Sequence, residues 1–203
     1  MTGRAPGIVA VAAIVGSVAI IACGEANPTL APTVPATLSA SPTRTPPPPS
    51  GIDVDLALID VLPLTVDGIE RLADPDTAAE IASSVDLAAS VESIAVAIYV
   101  GPGSSAADDL AIVSVARLRP DIFSDAWFRQ WRETYDAAAC EPAGGVQTGS
   151  AQAEIGGVTT YIGSCRNLVH TYHVRLADPD RVVAITALGE ARLGERIVAA
   201  LTE

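Results

Sequence analysis

Residues 24–50 are written mostly in Pro, Thr, Ala and Ser, with Pro46, Pro47, Pro48 and Pro49 consecutive. Such a tract cannot bury a core, and its prolines favour extended polyproline conformations. It therefore confines the folding part of the chain to residues 52–203 and makes residues 23–51 a spacer. In a chain of 203 residues, what remains suits one domain with a core of ordinary size.

Ahead of the spacer lies an apolar run over residues 8–22, ending Ile20-Ile21-Ala22, followed by Cys23. It is shorter than the roughly 20 residues that span a bilayer and has the length of a signal-peptide core. Arg4 and the amino terminus supply the positive charge in front of it. Cys23, behind a small residue and branched aliphatics, resembles the lipobox of bacterial lipoproteins. In that family the cysteine becomes a lipid-bearing N-terminus after cleavage. Ile20 and Ile21 stand where Leu and Ala or Ser are commoner in the family. The resemblance covers residues 1–23 and implies a signal peptide over 1–22, lipidation at Cys23 and a place on the extracytoplasmic face of the cell membrane. The other reading of the same residues is an uncleaved membrane anchor with Cys23 incidental.

The formal net charge is −12, from 24 acidic residues against 12 basic ones. Every basic residue is Arg and Lys is absent, a bias that fits a GC-rich genome better than an arginine function. An acidic surface repels nucleic acid and anionic headgroups, so no nucleic-acid partner is expected. With Cys23 assigned to lipid, Cys140 and Cys165 remain, and an even pair outside the cytoplasm most simply forms a disulfide. Closing that loop contributes about 3 kcal/mol through the unfolded state. The rival is a free or catalytic thiol, which no activating constellation supports.

The domain reads as α+β, with a largely antiparallel sheet of about six strands and about three helices. Residues 52–72 have no clean period and read as an irregular lead-in with one short hairpin at Val66-Asp67-Gly68-Ile69. Asp74-Pro75 begins a helix to about residue 89, with Ala78, Ile81, Val85 and Ala88 on one stripe. Residues 92–101 alternate, with Ile94, Val96, Ile98 and Val100 opposed to Ala95, Ala97 and Tyr99, and residues 110–118 read as the partner strand. Ser124 caps a helix to about residue 139, with Phe123 and Phe128 as a hydrophobic staple. Residues 147–188 read as four strands with turns at Gly156-Gly157, Cys165-Arg166-Asn167 and Asp178-Pro179-Asp180. Leu168, His170, Tyr172, Val174 and Leu176 share a face of the third of these. A last helix over 190–201 buries Leu193, Ile197, Ala200 and Leu201.

Five of the eight aromatic residues fall within residues 123–135. Trp127, Trp131 and Tyr135 form a stripe that suits either the lid of a core or a flat surface for a sugar, peptide or apolar ligand. His170 and His173, near Cys165, invite a metal, but three residues apart on a strand they point to opposite faces and cannot share an ion. No metal or other cofactor is expected. The hexapeptide Arg-Leu-Ala-Asp-Pro-Asp occurs over residues 71–76 and again over 175–180. Its Asp-Pro-Asp is good turn chemistry in either place, and calcium binding by the paired Asp is the outside reading. Gly101, Gly103 and Ala106 fit G-x-G-x-x-A, yet strand rather than helix follows, so no pyrophosphate site forms. No G-x-S-x-G, H-E-x-x-H, S-x-x-K or C-x-x-C occurs.

These residues lead to a membrane-tethered extracytoplasmic domain that is not an enzyme and acts as a binding or interaction module. The alternative is a carrier of a small apolar ligand between the sheet and the aromatic helix; a hydrolase using Asp or Glu ranks third. In outline, the order of elements resembles small exported sheet-and-helix domains such as the Mog1/PsbP-like lipoproteins. The expected partners are the membrane, through the N-terminal lipid, and a protein or small apolar ligand.

Overall fold

The computed structural model describes residues 51–101, 109–176 and 180–202. The signal segment, Cys23, the proline-rich spacer, most of the Gly101–Ala106 loop and the Pro179 turn lie outside the described residues.

The fold is α+β, built on a nine-stranded, largely antiparallel sheet. Strand β1 (Asp53–Val54) is followed by a 3-10 turn (Leu56–Val61), the hairpin β2 (Thr65–Val66) and β3 (Ile69–Ala73), and helix α1 (Pro75–Ala82). Strands β4 (Val91–Val100) and β5 (Leu110–Leu118) precede helix α2 (Asp125–Cys140). Then come β6 (Gly149–Ile155), β7 (Val158–Ser164), β8 (Val169–Leu176), β9 (Arg181–Leu188) and helix α3 (Leu193–Ala199). The spatial order is β2-β3-β4-β5-β9-β8-β7-β6, with β1 also on β4.

Nine strands replace the expected six because the lead-in is itself part of the sheet. Near one end of β4, Asp53 and Val54 pair in parallel with Ser93 and Ile94, and near the other β3 pairs with Ile98 and its neighbours. Strands of two residues are too short to show a period, and β3, which lies between β2 and β4, carries Glu70 and Arg71, which break the apolar alternation. Arg71 holds this region in place by donating to the carbonyls of Ile59 at 2.5 Å and Leu62 at 2.8 Å. The Tyr99 hydroxyl donates to the Pro63 carbonyl at 2.6 Å, and burial pushes its pKa up to about 12 against the pull of the Arg71 guanidinium.

Helices cover both faces of the sheet. On one face the 3-10 turn and α3 bring Leu58, Ile59, Leu193, Ile197 and Val198 onto Ala97, Val113, Val174 and Ile185. Gly194 lets α3 lie close to β8, since a Cβ there would meet the Tyr172 ring. On the other face α1, the turn that follows it and α2 gather Ala82, Leu87 and Phe128 over Ile94, Ala116 and Val182. Among the described residues, no helix is long and apolar enough to cross a membrane.

Local readings also change. Helix α1 begins at its expected Asp74 cap, whose side chain accepts from Thr77 N–H at 3.0 Å, but ends at Ala82. Ser83 turns its hydroxyl back to the Glu80 carbonyl, competing with further helix. Val85 is therefore 69 % exposed and Leu87 takes the buried place. In α3 the buried set is Leu193, Ile197 and Val198, while Ala200 lies beyond the helix and is exposed. Leu168 is not on the strand face: it sits in the turn before β8 at φ +57° and is exposed.

Candidate functional site

The chemically richest region is where α2 lies across β8 and β9. Ser124 accepts from the Trp127 N–H at 3.1 Å, as the expected cap requires, and Asp125 adds an acid to the first turn. The Phe123 and Phe128 rings stand 5.7 Å apart, forming the staple. At the other end Cys140 is bonded to Cys165, with Cα atoms 5.2 Å apart, tying the helix to the turn between β7 and β8.

Beneath the helix is a buried polar cluster centred on Asp136. Its carboxylate accepts from Thr171 Oγ1 at 2.6 Å, from His173 Nε2 at 2.7 Å and from Gln147 Nε2 at 3.1 Å. Gly163 makes room for it, since a Cβ there would come within 2.8 Å of the Asp136 carboxylate. Burial lowers the pKa of His173, and its hydrogen bond to the Asp136 carboxylate opposes that shift. The imidazole also packs edge-to-face against Trp131 at 5.4 Å and Tyr135 at 5.1 Å, and its Nδ1 has no hydrogen-bond partner among the described residues. Sequence reasoning missed Asp136. It falls eight residues after Phe128, on the same inward stripe, and an acid at a core position was the available signal.

Of the expected aromatic stripe, Tyr135 turns its hydroxyl inward to Thr186 Oγ1 at 3.0 Å, and burial pushes its pKa up. Trp127 and Trp131 are half-buried and stack on one another, with centroids 5.9 Å apart and planes 8° from parallel. The space below them is occupied by rings: Phe128 stacks on Trp131 at 5.7 Å and meets Tyr161 edge-on at 5.6 Å. Arg132 closes the far flank, its guanidinium 3.6 Å from the Tyr161 centroid, and Arg175 lies 3.4 Å from that of Phe123.

The cover of α2 ends near β5. Thr186 pairs with Ile112, Ile112 with Ile98 and Ile98 with Leu72, so these four side chains form a row on the α2 face. Ile112 and Ile98 are half-buried, while Leu72 and, one row along, Val100 are each 54 % exposed. Stacked tryptophans beside an aliphatic row can hold a flat or apolar group; they offer no nucleophile or base.

His170 and His173 do lie on opposite faces of β8. His170 shares a 3.2 Å hydrogen bond with the Ser164 hydroxyl, a cross-strand neighbour, and burial and then Arg192 lower its pKa. Among the described residues, no three His, Cys, Asp or Glu are grouped to hold a metal ion. The repeated hexapeptide serves two structures: Asp74 caps α1, whereas Asp180 pairs with Arg175 at 2.9 Å after β8. Comparison with protein-family models, with curated proteins and with solved structures finds no match.

Proposed function

We propose that the protein is a lipid-anchored extracytoplasmic lipoprotein whose domain is a non-enzymatic binding or interaction module. Cys23 is the anchor, residues 24–50 the spacer, and the partner a protein or an apolar group meeting the flank of α2. The observation that carries the reading of the domain is the half-buried Trp127–Trp131 stack, adjoining the partly exposed row of Leu72, Ile98 and Ile112. A bond between Cys140 and Cys165 is in keeping with an oxidising compartment. A carrier would need room beneath the tryptophans; Phe128, Tyr161 and His173 pack there, which favours a surface.

Palmitate labelling of the full chain, followed by lipid extraction and mass spectrometry, tests both parts. Label is expected on the wild-type chain and not on Cys23→Ser, with no stoichiometric non-covalent ligand in the extract. Unchanged labelling in the variant would sink the anchor. A stoichiometric apolar ligand would replace the surface module by the carrier.

A further inference from the structure

Among the described residues the sheet ends in an open edge at β6: Gly149, Ser150, Ala151, Gln152 and Glu154 are exposed, and β7 is the only strand neighbour of β6. Edge strands are commonly guarded by Lys, Pro, a bulge or inward charges. The stretch Gly149–Ile155 has no Lys or Pro, pairs with β7 residue for residue, and carries one charge, Glu154.

The phase of the exposed backbone follows from the hairpin. Gly156 at φ +61° and Gly157 at φ +84° form a two-residue turn with both positions left-handed, closed by Ile155 and Val158. Ile155, Ala153 and Ala151 then direct their backbone groups to β7, and Glu154, Gln152 and Ser150 direct theirs outward. Three residues with outward N–H and C=O groups, centred on Gln152, make an edge that is complementary to itself.

We infer that β6 pairs antiparallel with β6 of a second copy of this chain, about a two-fold axis at Gln152. In this register Gln152 faces Gln152, Ser150 faces Glu154 and Ala151 faces Ala153. The single acid of each strand thus meets a hydroxyl rather than its own copy, the alanines meet each other, and Gln152 meets the uncharged amide of its own copy. The outward backbone groups of the three residues on each side all find partners. The strand's two faces also match across the axis. Ala151, Ala153 and Ile155 lie on the α3 face of both sheets, and Ser150, Gln152 and Glu154 on the α2 face. Seven residues a side place the contact among small, transient interfaces. It uses none of the α2 flank and does not depend on the lipid anchor.

Cysteine cross-linking in the full-length chain tests both the contact and its register. Residues directly opposite in a hydrogen-bonded antiparallel pair have Cα atoms about 5.5 Å apart, within disulfide range. Under mild oxidation, Gln152→Cys is expected to give several-fold more covalent dimer than Asp86→Cys, an exposed position away from β6, with wild type correcting for Cys23. A mixture of Ser150→Cys and Glu154→Cys chains should cross-link, and Glu154→Cys alone should not. Equal yields from Gln152→Cys and Asp86→Cys would overturn the pairing. Self-linking of Glu154→Cys as strong as that of Gln152→Cys would overturn its register.

Discussion

His173 Nε2 donates to the Asp136 carboxylate across 2.7 Å, joining the C-terminal half of α2 to β8. Thr171, two residues earlier on β8, donates to the same Oδ1 at 2.6 Å. Two strand residues of one face thereby converge on one helix residue, and this fixes α2 in height and rotation while the surrounding rings fill space. A helix held by apolar packing alone could slide; one whose acid must meet two donors cannot.

Asp136→Ala removes the shared acceptor and leaves Thr171 and His173 as buried donors without a partner. The expected loss of stability is about 2–4 kcal/mol, read from the urea unfolding midpoint. Gln147→Ala, which removes the longest of the three bonds, is expected to cost less.

Acid should weaken the fold in a window set by the histidines. The folded pKa of His173 lies below the ordinary 6.5, chiefly through burial, and that of His170 is lowered as well. The unfolded chain then takes up protons before the folded one does, so stability falls as pH drops below about 6.5 toward the folded values. Unfolding measured between neutral and mildly acidic pH should show that decline, and His173→Gln should make it shallower. A slope unaltered by His173→Gln would rule out this imidazole as its source.

The inner and outer sides of α2 should respond differently to truncation. Phe128 is buried in the cluster with Ile94, Ala116 and Val182, so Phe128→Ala is expected to cost about 3–5 kcal/mol in urea unfolding. Trp127 is half-buried, stacked on Trp131 and tilted against Phe123, so Trp127→Ala should cost markedly less and leave the fold intact. Equal costs would make the tryptophan stack part of the core and remove the binding surface.

Much of the local plan was legible. The period-two runs of β4 and β5, the caps at Asp74 and Ser124, the staple of Phe123 and Phe128 and the Gly156-Gly157 turn lie where spacing and turn chemistry place them. Each depends on residues within a few positions of one another. Asp136 was not legible, because its donors, Thr171 and His173, lie on β8, beyond two intervening strands. The exposed Val85 was misread for a related reason: helical spacing continues past Ala82, but Ser83 ends the hydrogen-bonded ladder.

The sequence by itself determined the α+β class, the elements of the domain longer than a few residues, and the presence of Cys140 and Cys165 within it. Only the tertiary structure decided that β9 lies beside β5, that β1 and β3 share one side of β4, that helices cover both faces, and that β6 is left as an edge. The physical reason is range. Side-chain period, caps and turns act between near neighbours, whereas strand order and the burial of Asp136 follow from which distant apolar faces can be removed from water together.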